Sequence, residues 1–527
     1  MTIRASRSRL IWSPLLGWAL LSCGMSVVHA QTTAPGSTTT TTPSDTDTGN
    51  RPTMPSSVPA GGAVAPIVLP TRPTQPYGAP TPADPTYSTY DQQTNQTVQP
   101  PPPPSAGTTI VNAPFGSSVP YFGGITSGFG GGTTASSGSS PGDATGITLG
   151  AFTLIPQLEL NIGVDNNVFA QAASLGTTNS LYSTVTPSLD LKSDWNNHML
   201  HAVASGTVGW YGSAPTQDFQ NYGLAVDGKV DIRHDLYVTG LIGFKRATEA
   251  LGTPNVAFAQ APTVVDTLPV QIGLYQEFND VFYQIGAAAT RYWHYDYSTI
   301  TSQGLPASSR NRFEYAETLR VGYHVGESLD LYLAPSLNQI RYIETINAAG
   351  QDRNSNNTNL GVGATWRPNE VSVLEGEIGY QNKTYNSGGF ASDSGLSFSL
   401  KGTWSAYAPL TLRPTITRSI NETALSDYKN YTSTIFALDY TYVIHDAWTL
   451  AGGLLFSVAD YAVADGVQGV NPRTDYFMRS QIGLLYSIKP EIQIGPFFEY
   501  SRASTTDPTT GPSYDRQIYS IRLIAKR

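Results

Sequence analysis

From about Ile147 to Arg527 the chain alternates apolar and polar residues with a period of two. Leu154, Leu158, Leu160, Ile162 and Val164 share one parity, as do Leu224, Val226, Val230 and Ile232, then Val270, Ile272 and Leu274. The pattern continues to Phe436, Leu438, Tyr440, Tyr442 and Ile444, and to Ile482, Leu484, Tyr486 and Ile488. Such alternation over roughly ten residues predicts strands with one apolar face. The opposite face is small or polar, as at Asp190, Asn359, Gly361, Gly363 and Gln493. A water-soluble sandwich would alternate in the same way, so the pattern alone does not fix the surroundings.

The connections separate the two cases. One set is short: 194–197, 233–235, 279–280, 326–327, 367–370, 407–409, 445–446 and 489–490. Between them lie longer polar stretches near 165–180, 211–219, 246–263, 295–311, 343–356, 383–394, 421–430, 460–474 and 503–514. Short turns alternating with long loops are the pattern of outer-membrane barrels, turns inside and loops outside. Eight turns and nine loops join about 18 strands and leave both chain ends in the periplasm. The fold expected is therefore all-β, a transmembrane antiparallel up-and-down β-barrel over 147–527. Trp195, Trp366, Trp404 and Trp448 fall beside short turns, and Trp210 and Trp293 at loop ends. Two aromatic sets at opposite strand ends are expected of membrane-interface girdles.

Composition supports a lipid-facing exterior. Charged residues are only 13% of the chain, about half the soluble average. Mean hydropathy is nonetheless negative, and no apolar run after the first thirty residues reaches the roughly 18 that a membrane helix needs. A membrane protein without such helices must close its sheet, because lipid satisfies no backbone edge. The net charge of −9 offers no basic footprint for nucleic acid.

Residues 1–30 read as a secretory signal: Arg4, Arg7 and Arg9, an apolar stretch from Leu10 to Val28, and the small-x-small site Val28-His29-Ala30. An anchor helix, or lipidation at Cys23, are the alternatives. Cys23 is the only cysteine, so cleavage after Ala30 removes every thiol and with it disulfides and thiolate chemistry. Residues 31–146 are low-complexity, with Thr38 to Thr42, Pro100 to Pro104 and a Gly/Ser/Thr stretch from Gly123 to Ser140. They carry too little apolar surface to offset ordering entropy and are expected to form a disordered periplasmic arm, a spacer or a tether.

Leu154 to Ala170 (LIPQLELNIGVDNNVFA), Thr186 to Leu200 (TPSLDLKSDWNNHML) and the ending Tyr514 to Arg527 (YDRQIYSIRLIAKR) resemble the Putative β-barrel porin 2 family of outer-membrane proteins. The resemblance covers the barrel and none of the arm. It implies exopolysaccharide export across the outer membrane, with a periplasmic export partner, and supplies no catalytic or binding residues. Outer-membrane lipid and the barrel-assembly machinery are the other partners expected. The chain departs from the common aromatic ending of such barrels, closing on Ala525-Lys526-Arg527.

No catalytic residue, cofactor or metal site is predicted. His198 and His201, three apart in a strand, point to opposite faces. The Asp165-Asn166-Asn167 run reads as loop polarity, the alternative being a weak cation site. By parity Lys192, Lys229, Lys245, Arg320, Glu375, Glu377, Lys401, Arg413, Asp439, Arg479, Glu499 and Arg522 point inward and are the candidate pore lining. Three functions remain open at this level: polysaccharide export, a general or selective diffusion porin, and a closed structural or adhesive barrel. A porin folds a long loop inward; no loop here stands out strongly, the longest, near 246–263 and 295–311, being modest.

Overall fold

The computed structural model describes residues 146–527 except 250, 252–262, 296–306, 347–349, 370, 387–389, 408, 446 and 508–510. The signal segment and, but for Gly146, the arm lie outside the described residues. The strands are β1 (Ile147–Leu149), β2 (Phe152–Asp165), β3 (Ser180–Ser193), β4 (Met199–Tyr211), β5 (Phe219–Arg233), β6 (Leu236–Thr248), β7 (Val264–Phe278), β8 (Val281–Tyr295), β9 (Arg312–Val325) and β10 (Leu329–Tyr342). They continue with β11 (Ser355–Asn369), β12 (Ser372–Tyr385), β13 (Asp393–Tyr407), β14 (Leu410–Asn421), β15 (Tyr428–His445), β16 (Trp448–Val463), β17 (Arg473–Lys489), β18 (Ile492–Thr505) and β19 (Tyr514–Lys526). Among the described residues no helix is long and apolar enough to cross a membrane.

Strands β2 to β19 each pair antiparallel with their sequence neighbours, and β19 pairs with β2. The result is a closed barrel of eighteen strands, the nineteenth being the short β1. Every short turn and every long loop of the sequence reading falls between strands as expected, turns at one end and loops at the other. In the β7–β8 turn Asn279 takes φ +52°, a left-handed conformation that a short amide side chain tolerates.

The seam was not anticipated in full. β19 covers β2 only from Asp165 to Gln157, ending at Lys526, and the Arg527 amide then donates to the Pro156 carbonyl at 3.1 Å. Beyond that point β1 takes over the same edge, pairing Ile147 with Leu154 and Leu149 with Phe152. The two ends of the barrel region thus share one edge of β2, so no row of backbone groups is left bare to lipid there. On the lumen side Arg522 reaches Glu159 at 3.1 Å, and Arg516 grips Asp165 through Nε at 3.0 and 3.1 Å. Both ion pairs tie β19 to β2.

The apolar parity faces outward. Ile272 is 60% exposed and Leu360 58%, and the other predicted stripe residues, such as Ile162, Leu224 and Leu454, follow. On a soluble protein this wall would be an aggregation surface; in a bilayer it is the lipid contact. Exposed Trp195, Trp366, Trp448, Tyr323 and Tyr407 mark its turn end, and Trp210, Tyr222, Tyr315, Tyr380 and Tyr519 its loop end. Trp404 and Trp293 take the expected ends but are half-buried. Along β9, Tyr315 to Tyr323 is about 27 Å of strand, enough to cross an apolar band of roughly 25 Å at a modest tilt.

Candidate functional site

The inward parity carries the polar chemistry, so the lumen is the candidate site. At the turn end it opens into a cavity of about 730 Å³ lined by His198, Lys229, Tyr237, Tyr275, His324 and Arg367, among others. Its charges are paired, some across strands and some along one. His201 on β4 lies between Asp227 of β5 (Nδ1 to Oδ1, 2.8 Å) and Asp190 of β3 (Nε2 to Oδ1, 3.1 Å). Asp190 also meets Lys192 at 3.1 Å, and Lys229 meets Asp231 at 3.0 Å. Asp330 of β10 takes Nδ1 of His324 at 2.6 Å and the Arg367 guanidinium at 2.6 Å. His198 stands in the turn beside the Asp231 amide, 3.2 Å away.

An inward aromatic row runs around this vestibule. Tyr237, Tyr275, Phe282 and His324 occupy β6 to β9, with ring centroids 4.7, 6.0 and 4.9 Å apart in turn. Two glycines make room for it and for Tyr332 of β10 beside it. A Cβ on Gly322 would sit 2.1 Å from the Phe282 ring, and one on Gly363 2.3 Å from Tyr332. The rings lie flat over bare backbone of the next strand, which fixes their rotamers and keeps the wall smooth.

Halfway along the lumen is a belt of alternating charge. Arg320 donates to Glu375 at 2.9 Å, and Lys401 stands 3.7 Å from the same carboxylate. Arg413 faces Asp439 across the β14–β15 pairing. Gly453 of β16 leaves space there, since a Cβ would lie 2.6 Å from the Asp439 Oδ1. Glu499 receives Gln481 at 2.5 Å, and Arg522 closes the belt against Glu159. Of the twelve residues picked from parity, Arg320, Glu375, Glu377, Lys401, Arg413, Asp439, Arg479, Glu499 and Arg522 lie on or beside this belt. Lys192, Lys229 and Lys245 sit apart, the first two at the vestibule. Most are held by partners on neighbouring strands, which limits how far they swing into the path.

At the loop end the structure shows an inward connection where no loop stood out in the sequence. The 422–427 connection between β14 and β15 turns into the lumen: Glu422 and Thr423 are 2% exposed and Leu425 5%. Lys383 of β12 donates to Glu422 Oε1, and the Tyr342 hydroxyl of β10 donates to Oε2 at 2.6 Å. Arg353 then clamps the segment from the β10–β11 side. Its guanidinium donates to the carbonyls of Thr423 (3.0 Å), Leu425 (3.1 Å) and Tyr428 (2.7 Å). Burial pushes the Glu422 carboxyl up, but the Lys383 ammonium and the Tyr342 hydroxyl outweigh it and hold the group below its ordinary value.

Two further connections bend inward. Val168 of the β2–β3 loop is fully buried among Tyr182, Tyr211, Phe219 and Ile518. Ala170, from the same loop, and Leu251, just past β6, join an apolar cluster with Ile435, Leu455 and Phe477 of β15 to β17. This contact runs from the β6 end of the lumen to the opposite wall. Glu249 pairs with Arg310 of the β8–β9 connection, Oε2 to Nη1 at 2.9 Å, both buried. Among the described residues no group of three or more His, Cys, Asp or Glu side chains could hold a metal ion.

A closed antiparallel barrel with turns at one end, inward loops at the other and a polar lumen can now be set beside known proteins. The family model for Putative beta-barrel porin 2 matches residues 140–527. The chain belongs to that family. Its membership places this porin-family barrel in the outer membrane as a channel-type protein. Among solved structures, Acinetobacter baumannii OccAB3 aligns at 12% identity over 71% of this chain and 99% of that one, with a TM-score of 0.38. Pseudomonas aeruginosa OpdO aligns at 11% identity over 71% and 97%, TM-score 0.37. The copper transporter OprC aligns at 9% identity over 72% and 81%, TM-score 0.38. A search of curated proteins finds no match.

The latch residues Glu422, Lys383, Tyr342 and Arg353 were missed from sequence. The one available signal was Ala424-Leu425, an apolar pair inside an otherwise polar loop, which a solvent-exposed loop has no reason to carry.

Proposed function

We propose that this protein is a non-enzymatic outer-membrane channel, entered from the periplasm and narrowed at its outer end by inward loops held by a buried latch. The observation that carries the proposal is the asymmetry of the lumen. The turn end is a polar cavity of about 730 Å³, whereas at the loop end the 422–427 segment is buried and clamped by Arg353 and Lys383. Eighteen-stranded barrels are wide enough to leave an aqueous path. Buried ion pairs add little net stability but hold one arrangement strongly against removal of a single partner, which suits a gate.

The finer reading is export of an exopolysaccharide, with the gate opened by cargo or by a periplasmic partner bound through the arm. A paired, near-neutral lumen rich in Tyr, Asn and Thr supports it, because a hydroxylated chain can exchange water hydrogen bonds for these groups without meeting a strong field. A second reading, selective diffusion of small solutes, is favoured by the Leu251 and Ala170 contact across the loop end, which resembles a fixed constriction. The barrel-assembly machinery is the partner that would insert the chain. Planar-bilayer recording with neutral oligosaccharides added on the turn side separates the two. Size-dependent block with residence rising with chain length supports export. Passage of only small solutes, without such block, supports diffusion.

A further inference from the structure

One sector of the outer wall, β6 to β10, differs from the rest at its loop end. Arg291 of β8 points outward with its guanidinium 4.5 Å from the Phe313 ring centroid and 5.1 Å from that of Trp293. Its Nη1 is buried and has no hydrogen-bond partner. Arg341 of β10 lies on the other side of Phe313, since Phe313 pairs with both Arg291 and Arg341. Arg341 is oriented by the Ser355 and Ile340 carbonyls at 2.7 and 2.9 Å and by Asn356 Oδ1 and Gln339 Oε1 at 2.6 and 3.0 Å. Among the described residues neither arginine has a carboxylate at ion-pair distance. Arg246, two strands away, shows the contrast: Asp266 takes it with two bonds of 2.7 Å.

Below this row, past Tyr315, the wall is dented. A groove of about 720 Å³ crosses β6 to β10, lined by Ile272, Leu274, Ile285, Ala287, Leu319 and Leu337 among others. Ala287 supplies the depth, a methyl where the flanking Ile285 carries a full side chain. Glu317, an exposed acid on the lipid-facing parity of β9, sits at the groove's upper lip, paired in register with Ala287 and Leu337. A lone carboxylate in that position is costly unless something donates to it.

We propose that this sector is a binding site for one lipid of the outer leaflet bearing a phosphate headgroup. Arg291 and Arg341 bind the phosphate, with Phe313 between them. Glu317 accepts a hydroxyl or amide proton from the junction of headgroup and chain, and an acyl chain fills the groove. The three parts stand in the order an amphiphile needs them, cations at the girdle, a hydrogen-bond acceptor beneath it and an apolar groove in the band. Arg291, stacked on the Phe313 ring, keeps its edge nitrogens for phosphate oxygens, and Arg341, whose terminal nitrogens are held by the protein, adds its positive charge beside them. The site is on the outer face of the wall and is independent of what the lumen conducts.

The test uses the full refolded chain in neutral detergent, with bisphosphorylated lipid A, its dephosphorylated counterpart and inorganic phosphate as probes, read by native mass spectrometry. Wild type is expected to retain the phosphorylated lipid at about tenfold lower concentration than the dephosphorylated one, or lower. The R291Q/R341Q double variant should lose that preference. R502Q, at the loop end of β18, should keep it. Ala287→Trp fills the groove without touching either arginine and should reduce retention of both lipids, which keeps the test informative if the double variant folds poorly. Equal retention of the two lipids by wild type would overturn the proposal. So would full competition by millimolar phosphate, which would mean a free-anion site, or a protein dimer in place of the lipid adduct, which would mean that the groove seats a second copy.

Discussion

Replacing Glu422 by Ala removes the carboxylate that pairs with Lys383, whose side chain is 1% exposed. The Tyr342 hydroxyl loses its acceptor in the same step. Leaving one member of a buried pair uncompensated costs about 3–5 kcal/mol. That cost falls on the inward arrangement alone, because with the loop released Lys383 reaches water. At 1.4 kcal/mol per factor of ten, even the lower figure shifts the balance between inward and released loop by about a hundredfold. The assay is single-channel recording of the full chain in a planar bilayer, with folding of each variant confirmed by its heat-modifiable gel migration. E422A should open at least about a hundredfold more often than wild type. The double variant E422A/K383A should fall back toward wild type, since it strands no charge and the Arg353 bonds to the loop backbone remain. Unchanged traces from a folded E422A would refute the latch. An E422A/K383A variant as open as E422A would show that the ion pair is not what holds the loop.

Three further outcomes follow from the same structure. Glu422 is held below its ordinary value when the loop is inward, so its contribution is complete above the unfolded carboxyl range and lost as pH falls through the lowered value. Opening frequency should be flat from pH 8 to 5 and rise only below the ordinary carboxylate range; a rise near neutrality would contradict the assignment. Gly322→Ala drives a methyl into the Phe282 ring and should destabilise the barrel by about 1–3 kcal/mol in urea titration, with Phe282→Ala in the same chain relieving much of it. No loss in Gly322→Ala would mean that the ring has room to move. Val362→Arg, on an outward position 54% exposed, should cost about 2–4 kcal/mol in lipid vesicles; a cost near zero would mean that this part of the wall does not face lipid.

The barrel was legible because its code is local. Alternation at Leu224 to Ile232 or Phe436 to Ile444 needs only a strand and two different solvents on its faces. The turns needed only Asn279-Asp280 or Lys489-Pro490 to stop a strand. Inward parity likewise located Arg320, Glu375, Lys401, Arg413 and Asp439. What parity does not carry is pairing between elements far apart in the chain. Glu422 meets Lys383 and Tyr342 only because the barrel closes. Leu251 meets the cluster of Phe477 only because the barrel brings residues far apart in the chain together. Loop length alone did not show it: the short 422–427 segment is held in the lumen by Lys383, Tyr342 and Arg353. β1 escaped for a related reason. Three residues are too few to show a period, and Ile147–Leu149 becomes a strand only because β19 stops at Lys526 and leaves an edge of β2 to cover.

The most direct test of the gated channel compares wild type with a variant whose 422–427 segment is replaced by a short Gly/Ser link, both recorded as full chains in a planar bilayer. The account predicts rare, small openings for wild type and steady, large openings for the variant. Equally large openings in both would show that the inward loops do not limit the path, and silence in both would make the lumen closed along its length and the protein no channel at all.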